Sequence, residues 1–367
     1  MRFSVSGGGT GGHVYPALAV ARALRDARPD VEVSYIGGAR GLERRLVGAA
    51  GDMPYHQLLV RSLRTVRRDV HLVVDPVRLA ASAPQAWRLL GRLRPAAVFT
   101  TGGYLALPLA AAARARRIPT IVWEGNVTPG RATRAVSRLA TRVAVSFPPT
   151  LDAFPGVAFV SGTPIRSFAG VGRDSAREAL GIRPEDRMLL VFGGSQAVAR
   201  ITAALDESLP GLVANWIVLH LTGEAGMPAA VAARDRLPAG LRDRYRPEAF
   251  LTDRMAEALV AADLVVGRAG SSTCAEVAAV GVAAILVPYP HAGGHQAANA
   301  RWLVEQGAAV GVPDEELNAA RLLREVGALR DDDRRQAVAD AARVLGRPDA
   351  AERIAHELLA LAGYQAA

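Results

Sequence analysis

Lysine is absent from the 367 residues, so all 44 basic side chains are arginine. That absence excludes P-loop ATPases, pyridoxal-phosphate enzymes and Schiff-base aldolases, each of which needs a lysine amine. The one cysteine, Cys274, cannot form an internal disulfide, and seven scattered histidines offer neither C-x-x-C nor H-E-x-x-H spacing. No structural zinc site or other metal is expected. Apolar runs are short: Tyr104 to Ala113 spans about ten residues, against the roughly twenty that cross a bilayer. The N-terminal run breaks into glycines at Gly7 and lacks the apolar region and cleavage site of a signal peptide, so a cytoplasmic chain without a transmembrane helix is expected. Aromatics make up 5%, and no nucleic-acid module is recognisable, which speaks against a nucleic-acid binder despite the formal charge of +9.

What is present is a half-apolar chain too long for one ordinary core, which predicts two domains. The charge is local. Residues 61–150 hold fifteen arginines against Asp69, Asp75 and Glu124, so this part carries more than the whole net charge and is expected to face an anionic surface. Short β-branched runs alternating with helical Ala/Leu/Arg stretches predict parallel sheets flanked by helices. Strands are expected at Arg2–Ser6, Val31–Ile36, Tyr55–Val60, Ala97–Thr101, Thr120–Trp123, Val143–Ser146 and Ala158–Val160. The pattern restarts at Met188–Phe192 and continues at Trp216–Leu221, Leu264–Val266, Ala284–Val287 and Ala309–Val312. Both halves open on a strand that runs into a glycine turn, a weak internal repeat. A boundary near Gly162–Pro164 divides the chain into 1–162 and 163–349. The tail helix within 350–367 can dock on either half, the first domain included.

Gly7, Gly9 and Gly12 satisfy G-x-G-x-x-G, but the second strand ends in Gly37 and Gly38, with Asp30 too early and Glu43 a turn too late to hold a ribose. A nicotinamide site is therefore disfavoured. His13 follows the turn directly, with Pro16 just inside the helix start, where an imidazole can serve as general base or simply cap the helix. The densest constellation is Gly267–Glu276, small residues opening a helix after a buried strand, suited to cradling a diphosphate on backbone N–H groups. Glu276, about one turn in, suits two ribose hydroxyls; alternatively Thr273 and Glu276 form a capping box. The polar loop Pro288–Asn299 presents Gln296 and Asn299, amides that suit a sugar. Gly193–Gln196 would add phosphate donors. The Asp331–Asp333 run reads as a solvated charge cluster, not a metal-binding D-x-D.

In order and spacing, GGGTGGHVYPALAVA, TTGGY, EGN, GTPIR, FGGSQ, GRAGSSTCAE and PHAGGHQAANA resemble the bacterial peptidoglycan glycosyltransferases that complete lipid II, over nearly the whole chain. The resemblance implies a GT-B fold, two Rossmann-like domains facing a central cleft. It further implies inverting, metal-independent transfer of GlcNAc from UDP-GlcNAc to the MurNAc 4-hydroxyl of undecaprenyl-linked lipid I, with no cofactor. By the same likeness the donor contacts are Thr10, Gly11, Gly12, Asn126, Arg166, Ser195, Leu251, Ser271, Ser272, Thr273, Cys274, Ala275, Glu276 and Gln296. His13 is the implied base, with Tyr104 and Glu124 on the acceptor side. Ala197 stands where a glycine normally follows Gln196, the stretch after it lacks the usual asparagine, with Thr202 near that place, and the loop before Gln296 has Gly293, Gly294 and His295, looser than in some relatives. These departures keep open a GT-B enzyme with a secondary-metabolite or glycolipid acceptor, and a UDP-GlcNAc 2-epimerase shares the two-domain plan. Leu63–Leu93, where arginines interleave with Val73, Leu79 and Trp87 and Pro76 is expected to break the helix, suits a lipid interface on the cytoplasmic face of the plasma membrane.

Overall fold

The computed structural model describes residues 1–38, 43–51, 53–59, 71–193, 199–251, 254–291 and 293–364, with 71–80 as backbone only. The chain divides into two units, Met1–Arg166 with Pro348–Ala367, and Ser167–Arg347. The expected boundary falls four residues early. Thr163 donates to Ser146 Oγ at 2.8 Å and Ile165 is buried, which ties 163–166 to the first sheet.

The first unit is built on a seven-stranded parallel sheet. Its strands are β1 (Arg2–Ser6), β2 (Glu32–Gly38), β3 (Tyr55–Leu58), β4 (Ala97–Thr100), β5 (Thr120–Glu124), β6 (Arg142–Val145) and β7 (Ala158–Val160), in the order β3-β2-β1-β4-β5-β6-β7. Strands such as β4 and β5 are buried at every residue because helices cover both faces, so they read as continuous apolar runs rather than alternating ones. Phe3 and Val5 pack with Val14, Leu18 and Leu24 of the helix Gly11–Ala27. The same cluster includes Ile354, Ala355 and Leu358 of the C-terminal helix Ala350–Leu361, and Arg142 pairs with Glu357 at 3.2 Å.

The second unit repeats the plan with β8 (Met188–Phe192), β9 (Ile217–Leu221), β10 (Tyr245–Glu248), β11 (Leu264–Gly267), β12 (Ala283–Leu286) and β13 (Val310–Gly311), all parallel, in the order β10-β9-β8-β11-β12-β13. In each unit the winding reverses beside the first strand, between β1 and β4 and between β8 and β11. Loops leaving the carboxyl ends of those pairs are where open α/β sheets bind ligands.

Two expectations are corrected. No strand was expected at β10, because Arg246 and Pro247 interrupt the apolar pattern; β10 is an edge strand, where a proline costs no ladder bond on the open side. Pro76 does not break its helix, which runs unbroken from His71 to Leu93 through Pro76 and Pro84. Proline's φ is already helical, and its penalty is a missing hydrogen bond plus local crowding that a helix of 23 residues tolerates.

Candidate active site

In the first unit the turn between β1 and the helix Gly11–Ala27 is tied down on every side. Tyr35 Oη donates to Gly7 O at 2.6 Å, and Thr101 Oγ1 donates to His13 O at 3.0 Å. A side chain at Gly7 would place its Cβ 2.3 Å from that same His13 carbonyl, so only glycine fits. Gly9 takes φ +95°, the left-handed region that glycine alone enters freely. Its N–H donates to Glu43 Oε1 at 2.9 Å, and Tyr104 Oη donates to the same oxygen at 3.3 Å.

His13 is the third residue of the helix and is half-buried. Its Nδ1 lies 2.8 Å from the Thr101 carbonyl at the end of β4. A carbonyl only accepts, so Nδ1 carries the hydrogen and, in the neutral ring, Nε2 carries the basic lone pair. The topological switch point thus brings together a glycine turn from β1, a carbonyl from beyond β4 and an imidazole in one fixed tautomer. Pro16 lies farther into this helix than expected, at its sixth residue, and forgoes a bond to the Gly12 carbonyl. Thr10 is the extended cap residue, its carbonyl accepting from His13 and Val14; Gly11 and Gly12 fill the first turn, where amides have no helical acceptor.

Tyr104 is half-buried, and burial followed by the nearby Glu43 carboxylate raises its phenol well above the ordinary range. Glu124 faces its own loop. Oε1 accepts from Asn126 N and Asn126 Nδ2, both at 3.0 Å, and Oε2 accepts from Gly130 N at 3.0 Å. Three donors make this buried carboxylate the staple of the loop 125–130, which presents Asn126 half-exposed.

In the second unit the helix Ser271–Val280 starts at the end of β11 on Gly270, whose backbone is extended and which supplies no side-chain cap. Thr273 is therefore the third residue inside the helix, so it cannot be the cap of a Thr273–Glu276 capping box. Ser271, Ser272 and Thr273 are half-buried, their amides in the uncommitted first turn. Cys274 lies on the buried side of this turn: its N–H bonds Gly270 O at 3.0 Å, and burial pushes its thiol up to about 12. By helical geometry the N–H of Ala275 turns back to Ser271. Glu276 is buried at 6% exposure, one turn in.

The next loop is positioned from beneath. Arg268, buried, donates to Val287 O at 3.2 Å, pairs with Asp314, and stands over the Tyr289 ring at 5.4 Å. Gln296 Oε1 accepts from Tyr289 N at 2.9 Å, which leaves the amide nitrogen as its donor end. Asn299 is wholly buried and donates to Ala269 O at 3.2 Å, bracing the helix His295–Glu305 against the preceding motif. Leu251 and Arg166 are half-buried; Ser195, with Gly194, Gln196 and Ala197, lies outside the described residues. A cavity of about 570 Å³ lined by Arg200, Glu207, Arg268, Tyr289 and Asp314 lies beside these motifs, but it is lined by none of Ser271–Glu276 or Gln296. Arg268 and Asp314 were missed as a pair because the two are 46 positions apart. Among the described residues no group of His, Cys, Asp and Glu could hold a metal ion, and no helix is long and apolar enough to cross a membrane.

Residues 3–145 match the glycosyltransferase family 28 N-terminal domain and residues 188–354 its C-terminal domain. A UDP-N-acetylglucosamine–N-acetylmuramyl-(pentapeptide) pyrophosphoryl-undecaprenol N-acetylglucosamine transferase from Moorella thermoacetica is 40% identical over 98% of each chain. One of the same name from Salinibacter ruber is also 40% identical, over 97% of this chain and 95% of that one. The crystal structure of Acinetobacter baumannii MurG superposes with a TM-score of 0.78 at 30% identity, covering 98% of this chain and 99% of that one. A UDP-N-acetylglucosamine 2-epimerase from Listeria monocytogenes shares the fold at a TM-score of 0.72, but at only 13% identity. With both domains of the family present, full-length relatives at this identity and two Rossmann-like units of GT-B type, the chain is a glycosyltransferase and belongs to family 28.

Proposed function

We propose that this chain transfers GlcNAc from UDP-GlcNAc to the MurNAc 4-hydroxyl of undecaprenyl-pyrophosphoryl-MurNAc-pentapeptide, with His13 as the base and no metal. The substrates are those of its full-length relatives by name. The observation that carries the chemistry is the Thr101 carbonyl on His13 Nδ1, which commits Nε2 to accepting a proton. As the 4-hydroxyl oxygen attacks the anomeric carbon, its proton passes to Nε2; the bond to UDP breaks with inversion, and the diphosphate leaves with the electron pair. The first-turn amides of Ser271–Thr273 and the dipole of that helix stabilise the departing charge, together with Arg166. Glu276 accepts from ribose hydroxyls, and Gln296 donates to the sugar. Incubation with radiolabelled UDP-GlcNAc and lipid I in detergent tests the reading. Label is expected in the lipid phase; label found only in free sugar, or in UDP-ManNAc, means another reaction.

Glu276→Ala is expected to weaken UDP-GlcNAc binding by roughly 1.5–3 kcal/mol in a folded protein, the size of hydrogen bonds to a charged group. Titration calorimetry reads it, and unchanged affinity removes Glu276 from the donor site.

The acceptor is lipid-linked, and we assign the basic surface of residues 61–150 to an anionic membrane at the cytoplasmic face. Arg88, Arg92, Arg94, Arg114, Arg117, Arg131, Arg134 and Arg138 are exposed, and Trp87 is 41% exposed with Arg116 stacked 4.0 Å over its ring. Each arginine near such a surface contributes on the order of 1 kcal/mol, within a Debye length of about 8–10 Å. Arg61, Arg64, Arg67 and Arg68 lie outside the described residues, as do the side chains of Val73 and Leu79. Replacing the four arginines by glutamine is expected to release the protein from anionic liposomes while sparing transfer to a short-chain acceptor analogue. A quadruple variant that floats with anionic liposomes as wild type does would overturn the assignment.

A further inference from the structure

Glu43 heads the short helix Glu43–Ala49 and is wholly buried. Too late in the chain to hold a ribose at the second strand, it ends beneath the first glycine turn, with Oε1 shared by Gly9 N–H and Tyr104 O–H. Oε2 is buried with no hydrogen-bond partner, and no salt bridge reaches Glu43 among the described residues; Arg44 beside it stands over the Tyr55 ring at 5.5 Å. Burying a carboxylate without a cation costs several kcal/mol, whereas an amide could hold the Gly9 N–H without that cost. Besides its charge, a carboxylate differs from an amide in that it can only accept. Both neighbours must therefore donate to it. With its proton committed to Glu43, the Tyr104 oxygen can only accept from anything that approaches it. With its N–H occupied, Gly9 has nothing to offer a phosphate, and the carboxylate behind it repels one.

We propose that Glu43 is a positioning residue for the acceptor substrate: it aims the Tyr104 oxygen at a hydroxyl or amide N–H of the sugar-peptide and closes the Gly9 amide to anions. Burial and Glu43 together keep the Tyr104 phenol protonated, as this arrangement requires. The inference rests on lipid I being the acceptor, so wild-type transfer to a soluble lipid I analogue is measured first; its absence would defeat that reading and this inference with it, whereas transfer that occurs isolates the question to Glu43. Steady-state kinetics of Glu43→Gln, Tyr104→Phe and the double variant then address Glu43. In Glu43→Gln the KM for the acceptor analogue is expected to rise about tenfold, the worth of one oriented hydrogen bond, with the KM for UDP-GlcNAc unchanged. In the Tyr104→Phe background the same change is expected to add less than about twofold, because coupled residues are not additive. An unchanged acceptor KM, an equal rise in donor KM, or fully multiplicative effects would overturn the proposal. Should Glu43→Gln fail to fold, Glu43→Asp keeps the charge but draws it back from Tyr104. The same acceptor-selective loss is then expected, and a folded Asp variant with unselective loss overturns the inference.

Discussion

His13→Ala is expected to lower turnover by about 10²–10⁴-fold while leaving UDP-GlcNAc affinity within about twofold of wild type, since general-base catalysis contributes on that scale. The base acts on the acceptor hydroxyl, whereas the donor is assigned to the helix Ser271–Val280 of the second unit. The Thr101 carbonyl at 2.8 Å is part of the argument. The contact is to backbone, so it does not depend on the identity of the side chain at Thr101. His13→Gln, which cannot take up a proton at neutral pH, should be as inactive as alanine. Near-normal turnover of either variant would remove His13 from the chemistry. Comparable losses in turnover and donor affinity would make it a packing residue instead.

Acidification is expected to loosen the second unit through a different histidine. His220 on β9 is wholly buried, its Nδ1 2.9 Å from Tyr245 Oη on β10, and its Nε2 has no partner among the described residues. Burial lowers its pKa to about 4, against about 6.5 in the unfolded chain. Between those values the unfolded state binds the proton and the native state does not. The stabilisation is thus complete above pH 6.5 and drains away as pH falls toward 4, by about 3 kcal/mol at most. Asp206, the charge facing Tyr245, is raised by burial, so it acts in the opposite sense. Hydrogen exchange of the β9 and β10 amides at pH 7, 5.5 and 4.5 should register the loss, and His220→Gln should flatten it. Parallel pH profiles for the two proteins would rule His220 out as the origin.

The strands were legible wherever helices cover both faces of the sheet, because burial on two sides leaves an uninterrupted apolar run, as in β8 and β12. They became illegible at the rim: β10 carries Arg246 and Pro247, which only an edge position tolerates. The glycine turn and His13 could be located from their places after a strand. What held the histidine could not, since Thr101 lies 88 positions away and contributes a carbonyl that every residue possesses. Glu43 escaped for a related reason. Its distance from the second strand was judged against a ribose, whereas its partner is a backbone N–H brought close by folding. Asn299 and Cys274 show the same limit from the other side: their burial, and the bonds of Asn299 Nδ2 to Ala269 O and Cys274 N to Gly270 O, could not be read from their place beside a motif.

The return of the C-terminal helix to the first unit bears on the order in which the protein can be made. Val14, Leu18 and Leu24 need Ile354, Ala355 and Leu358 as part of their packing, and the whole of Ser167–Arg347 is synthesised in between. At roughly 5–20 residues per second, the first unit waits on the order of 10–40 s on the ribosome with that apolar face uncovered. The second unit, continuous in the chain, can fold as it emerges. The first to be translated is therefore the last to be completed, and a chaperone that shields the helix Gly11–Ala27 during that interval has a defined surface to hold and a defined segment that displaces it.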